Sequence, residues 1–235
     1  MGTTAIDVTR SVEITEVVGR LPHASNATLL ARDSEGQLWV YKPDQGESPL
    51  WDFPYQTLSK REIISFEVST AMGLDIIPLT LEADGVYGPG SAQAFLDEDE
   101  EFDPRPWFED QLEPSLWPFA VFDIVANNAD RKVGHLLREA GTGRVWGIDQ
   151  GLTFHPMNKL RTVLWGFAGQ AIPEDLMDAV ERLRTALSGG VRHRIVMMLG
   201  EAEADALAHR VELLLLSGTH PLPPTDRPAV PWPMW

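Results

Sequence analysis

Three residues stand where their type and spacing could do chemistry. Lys42, one of only four lysines, closes the β-rich run LWVYK at 38–42. A lysine on a half-buried strand is costly unless its ammonium meets an anion, although on an edge strand it can also reach water. Asp130 lies in FDIVANNADRKVGH, residues 122–135, where an apolar helical pattern runs into Asn127-Asn128-Ala129-Asp130-Arg131. Side chains of such a turn bond their own backbone, and a carboxylate held there at a cleft suits a base that orients a hydroxyl group. The plainer reading is a helix end capped by asparagines. Asp149 ends the strand-like VWGID, and Gly151 two residues later permits a sharp turn. A carboxylate so placed can hold Mg²⁺, which takes one or two carboxylates together with phosphate oxygens, though strand–Asp–Gly turns are common for other reasons.

The elements that must position these residues are legible in outline. Residues 11–42 alternate as strands broken by the turns RLPHASN and SEGQ, giving a pair of hairpins or a short meander. After a proline- and aromatic-bearing loop at 43–58, Ser59 can cap a helix over 60–72 that presents Ile63, Phe66, Val68 and Met72 on one side and stops at Gly73. IIPLTLEA and VYGPGSAQAFL read as further strands about a DG turn. The acidic, proline-containing stretch 97–114 separates this strand-rich part from a helix-rich one, so the expected division is 1–96 and 97–235. Helices are expected over 114–127, from Pro173 to Gly189-Gly190, and over 191–217 with a break at Gly200. Two short strands, GHLLRE and GRVWGID, lie between the first and second of these. The tail PLPPTDRPAVPWPMW carries too much proline for helix or sheet and is expected to pack as an extended strap or to be mobile.

Composition narrows the partners. The formal charge of −16 disfavours nucleic acid and anionic membranes, which reward a basic face, but leaves a nucleotide possible because that site needs only local positive charge, a metal and backbone N–H groups. The run DEDEE at 97–101, with Asp103, Glu109 and Asp110 nearby, reads as a solvated loop or as a surface for a basic partner. There is no cysteine, which removes disulfides, thiolate zinc sites and thiol nucleophiles together. The start of the chain lacks an apolar leader, and no apolar run approaches the roughly 20 residues of a membrane span, so a cytoplasmic protein is expected.

The order of parts is more specific than any one of them. A strand lysine, a helix beginning Arg61-Glu62, then Asp130, then Asp149 after a short hairpin follow the succession found in protein-kinase-like phosphotransferases. GxGxxG, HRD and DFG are all absent. VYKP at 40–43, REIISF at 61–66, NNADR at 127–131 and IDQGLTF at 148–154 resemble the motifs of the phosphatidylinositol 3-/4-kinase-like group, which includes type II phosphatidylinositol 4-kinases and, more distantly, HipA-type kinases. WDFP at 51–54 and GRLPHASNATLL at 19–30 resemble a bacterial subfamily of that group. The resemblance covers most of residues 15–190 and implies an α+β, two-lobed protein-kinase-like fold with a strand-rich N-lobe and a helical C-lobe.

It implies roles too. Lys42 would bind the α/β-phosphates of ATP and pair with Glu62. Ser25, Asn26, Ala27 and Thr28 would form a phosphate-covering turn through backbone N–H groups, and Gln93, Ala94, Phe95 and Leu96 would meet the adenine edge. Asp130 would be the catalytic carboxylate, and Arg131 would either neutralise the transferring phosphate or brace the loop. Asp149 would be the main ligand of Mg²⁺ or Mn²⁺. His135 stands where relatives place a metal-binding asparagine. Its imidazole suits Mn²⁺ and later metals better than Mg²⁺, and an unperturbed ring would lose its lone pair around pH 6 to 7. The expected activity is transfer of the γ-phosphoryl of ATP to a hydroxyl of a protein, lipid headgroup or small molecule. A nucleotide-binding pseudokinase and an AMP transferase are the alternatives.

Overall fold

The computed structural model describes residues 11–21, 27–109 and 112–235. Strands β1 (Ser11–Arg20), β2 (Leu29–Asp33) and β3 (Leu38–Pro43) are followed by helix α1 (Leu58–Met72) and by β4 (Thr80–Gly85) and β5 (Gly88–Ala94). The five strands form a closed barrel in the order β1-β2-β3-β5-β4. Every neighbouring pair is antiparallel except β1 and β4, whose parallel pairing closes the barrel. Local alternation reads out the hairpins. The parallel closure joins strands some 70 residues apart, which no local pattern encodes. Val12, Ile14, Leu29, Ala31, Trp39, Tyr41, Leu81, Ala83 and Ala92 fill the barrel. The two-residue period of β3 therefore buries Trp39 and Tyr41 and turns Lys42 the other way. Opposite Lys42, β5 approaches so closely that a Cβ on Gly90 would lie 2.3 Å from the Lys42 carbonyl oxygen.

Helix α1 is buried on nearly all sides, against α3, α4, β4 and β5. Sequence suggested one apolar side, but Arg61, Glu62, Ser65, Glu67 and Ser69 are buried as well. Most of these polar positions have partners: Glu67 accepts from Arg194 at 3.0 Å and Arg61 pairs with Glu203 at 3.3 Å, whereas the Ser69 hydroxyl has none among the described residues. Ser59 does not cap the helix; its hydroxyl bonds the Asp44 carboxylate. The cap comes from Glu47, whose carboxylate accepts the N–H groups of Gln56 at 2.8 Å and Leu58 at 2.9 Å. Gly73 ends the helix in the left-handed conformation, as its position foretells.

Beyond the barrel, a 3₁₀ turn at Pro114–Leu116 leads into α2 (Trp117–Ala126). The hairpin β6 (Leu136–Arg138) and β7 (Val145–Gly147) follows, then α3 (Glu174–Ala186), α4 (Gly190–Met198) and α5 (Glu201–Ser217). Pro173 occupies the cap of α3 rather than its first turn, and Gly200, at φ 128°, breaks α4 from α5. One apolar core unites α1, α2, α3 and α5 with Leu136, Phe154 and Leu164. The proline-rich tail packs as a strap: the Ala229 carbonyl accepts from Thr162 N–H and from Trp165 Nε1, and the Met234 carbonyl accepts from Val133 N–H at 2.9 Å. Among the described residues, no helix is long and apolar enough to cross a membrane. The architecture is α+β and two-lobed, with the strand-rich lobe first.

Candidate active site

A cavity of about 260 Å³ opens where the barrel, α1 and the helical part meet. Its walls include Ala27, Lys42, Glu62, Asp130, Lys132, His135 and Asp149. Residues that sequence placed in separate motifs thus converge on one space.

Lys42 Nζ bonds Glu62 Oε1 and lies 3.0 Å from Asp149 Oδ1. Burial works against the ammonium, but Asp149 and Glu62 overcome it and hold Lys42 above the ordinary lysine range. The Lys42 charge in turn holds Asp149 well below the usual carboxylate range, against the effect of burial. Glu62 Oε2 accepts the Gln150 N–H at 2.9 Å, so α1 also fixes the backbone beside Asp149. Asp149 itself has φ 59°, a left-handed conformation uncommon for a non-glycine residue and frequent at functional sites.

The loop after α2 is built as its residue types suggest. Asn127 caps α2 in the left-handed conformation, and Asn128 Oδ1 accepts the Asp130 N–H at 3.0 Å. Asp130 pairs with Lys132 at 3.1 Å. Burial raises its carboxyl above the usual range, and Lys132 opposes that shift. Arg131 takes the bracing place and not the phosphate-neutralising one. It is fully buried on Asp123 at 2.9 Å, with Nη2 also donating to Gln150 Oε1 at 3.0 Å. Nη1 faces the carbonyls of His135 and Ile148, each at 3.4 Å, so the guanidinium has no donor to spare for a ligand.

His135 Nε2 lies 3.4 Å from Asp149 Oδ2, while Nδ1 is buried with no hydrogen-bond partner among the described residues. Burial, aided by Arg131, Lys132 and Lys42 and opposed by Asp149, pushes the ring down to about 4. It is therefore neutral at pH 7 and keeps a lone pair there, which corrects the expectation of titration between pH 6 and 7. Two ligands on adjacent corners of an octahedron with bonds of about 2.1 Å sit about 3 Å apart, so the pair fits a divalent ion. Among the described residues no group of three or more His, Asp or Glu side chains forms a complete metal cage. An ion here would draw its remaining ligands from phosphate and water.

Other expectations fare differently. Ser25 and Asn26 lie outside the described residues. Thr28 and Ala27 line the cavity, but the Ala27 N–H is taken by the Gly46 carbonyl at 3.2 Å. Gln93, Ala94, Phe95 and Leu96 do not line it. Gln93 Nε2 donates to Thr80, and the N–H groups of Ala94 and Phe95 go to Leu79 and Leu38. Lys132 and Glu47 were missed. Lys132 could have been found: with only four lysines in the chain, one standing two residues after Asp130 is a signal. Glu47 acts across a loop, where no spacing rule reaches it. A larger cavity of about 670 Å³, walled by Trp117, Phe167 and the tail, contains none of the expected site residues.

The fold is of the two-lobed kinase-like class. The structure matches that of the proinflammatory kinase CtkA of Helicobacter pylori over 90% of this chain and 95% of that one, with a TM-score of 0.56 and 13% identity. It also matches a Golgi casein kinase with Mn/ADP bound, over 88% and 72% of the two chains, with a TM-score of 0.55 and 10% identity. At such identities the likeness is one of fold. In sequence the chain is 37% identical over 254 aligned positions to Protein Rv2133c of Mycobacterium tuberculosis, covering 92% of this chain and 91% of that protein. It belongs to the family of Protein Rv2133c. No protein-family model matches it.

Proposed function

We propose that this protein is an ATP-dependent phosphotransferase that moves the γ-phosphoryl of ATP to a hydroxyl of an acceptor. The observation that carries the reading is Lys42 pairing with both Glu62 and Asp149 in the cavity that Asp130 also lines. The resemblance of its motifs to the phosphatidylinositol 3-/4-kinase-like group and the kinase-like fold support it. Residues 1–96 would serve as the nucleotide-binding lobe and 97–235 as the catalytic lobe. The absence of cysteine fits a reducing compartment, and we place the protein in the cytoplasm.

Lys42, held charged by two carboxylates, binds the α/β-phosphates. Ala27 and Thr28, which line the same cavity, cover them. Asp130 accepts the proton of the acceptor hydroxyl as its oxygen bonds the γ-phosphorus and the bond to the β–γ bridging oxygen breaks, releasing ADP. Lys132 holds the Asp130 carboxylate and places positive charge beside the transferred group. Asp149 and His135 would hold Mg²⁺ or Mn²⁺, which supplies neutralisation of phosphate charge when bound. The imidazole tilts that choice toward Mn²⁺.

ATP labelled at the α or the γ position, incubated separately with Mg²⁺ and Mn²⁺, tests the reading. Transfer of the γ label to the protein or to an added hydroxyl acceptor, with ADP formed, is expected. Transfer of the α label would replace it with AMP transfer. Nucleotide binding with neither label transferred would replace it with a pseudokinase.

A further inference from the structure

The loop between β3 and α1, residues 44–57, supplies Glu47 to the cap of α1 and also reaches Ala27 and the helical part of the molecule. At its start the Gly46 carbonyl accepts from Ala27, and a Cβ on Gly46 would lie 2.2 Å from that of Ala27, so this approach requires glycine. Glu47 then caps α1. Asp52 crosses to the helical part: its Oδ2 accepts from Lys159 Nζ at 2.8 Å, with both side chains largely buried. The Asp52 carbonyl lies 2.9 Å from His155 Nε2, and His155 Nδ1 accepts the Met157 N–H at 3.0 Å. That second bond makes Nε2 the protonated nitrogen, so it donates to Asp52. Phe53 meets the His155 ring edge-on at 5.2 Å and lies under the Arg61 guanidinium. It also forms a small buried cluster with Leu58, in the first turn of α1, and with Ala129, the neighbour of Asp130.

The far side of this contact reaches the catalytic loop directly. Lys159 N–H donates to Asn127 Oδ1 at 2.8 Å, and Asn127 Nδ2 donates to the carbonyls of His155 and Met157, each at 2.7 Å. One continuous set of bonds thus joins the turn at Ala27, the N-terminus of α1 and the loop carrying Asp130. A separate observation concerns the segment after Asp149. From residue 151 to residue 170 the hydroxyl side chains are Thr153 and Thr162 alone, and both are buried. Thr153 bonds the Gln150 carbonyl and Thr162 bonds Asp123. No accessible hydroxyl remains there for a phosphate that could reorder the segment.

We propose that residues 44–57 are a built-in clamp holding α1 against the catalytic loop, with Asp52, anchored by Lys159 and His155, a positioning residue for the Lys42–Glu62 pair. The site is then assembled by the fold itself, without a phosphate on residues 151–170. A buried ion pair adds little to stability over an apolar pair, but it fixes geometry, and geometry is what a phosphoryl-transfer site needs. The consequence for rate rests on the phosphotransferase reading; the consequence for α1 does not.

The test uses Asp52→Asn in the full chain. The variant should lose roughly tenfold or more in kcat/KM for ATP, since a misplaced Lys42 loosens both the hold on the phosphates and the reacting geometry. Reversing the pair, with Asp52→Lys and Lys159→Asp together, should recover much of that loss. Amide hydrogen exchange on the nucleotide-free protein should quicken in the first turn of α1 and stay unchanged in α5. Unchanged exchange in α1 would overturn the clamp, as would equal quickening in α5, which marks a general loss of stability. If the wild type transfers no phosphate, the phosphotransferase reading fails while the exchange result still decides the clamp.

Discussion

The buried imidazole of His135 makes stability depend on pH in a way that one substitution should abolish. In the native protein the ring stays neutral down to about pH 4, whereas in the unfolded chain it takes up a proton near 6.5. Between those values the unfolded state binds more protons, so the contribution is intact above pH 6.5 and is lost as pH falls toward 4. At 1.36 kcal/mol per pH unit the loss amounts to about 2 kcal/mol by pH 5 and about 3 kcal/mol by pH 4. His135→Asn removes the titrating group and keeps a polar side chain of similar reach. Urea unfolding followed by tryptophan fluorescence, without metal or nucleotide, measures both proteins from pH 7 to pH 4. Carboxylates and the other histidines titrate in both, so the difference between the two curves isolates His135. The wild type should lose about 2 kcal/mol more than the variant between pH 7 and pH 5. Parallel curves would refute the argument that burial holds this ring neutral.

The remaining predictions concern the site and its support. With nucleotide bound, His135→Asn should shift the Mn²⁺/Mg²⁺ affinity ratio toward Mg²⁺, measured by metal titration; an unchanged ratio removes His135 from the metal shell. Asp149→Asn should abolish metal-dependent nucleotide binding, whereas Asp130→Asn should keep nucleotide and lose transfer on the order of 10²-fold or more. Calorimetry and label transfer separate the two, and wild-type turnover in both would end these assignments. Asp123→Ala leaves the Arg131 guanidinium buried without its carboxylate and should destabilise the fold by about 3–5 kcal/mol. A shift under about 1 kcal/mol in a urea titration would show that Arg131 finds another partner and does not brace the loop.

The sequence alone determined the succession of chemical parts and most local elements. Lys42, Glu62, Asp130 and Asp149 were readable because each sits in a motif whose residue types constrain the nearby backbone: a β-rich strand, a helix opening, an asparagine turn, a strand before a glycine. Gly73 and Gly200 marked helix ends because the positive φ that each adopts disfavours other residues. Tertiary structure decided which of these parts meet and which polar groups are spent in meeting. The parallel pairing of β1 with β4, Glu47 as the cap of α1, and the connection from Asp52 through Lys159 to Asn127 all join residues far apart in the chain, where no periodicity acts. Arg131 shows the same division at one position. Its place beside Asp130 was evident, but only burial on Asp123, Gln150 and the surrounding carbonyls made it a brace, because a guanidinium with its donors occupied has nothing left to offer a phosphate.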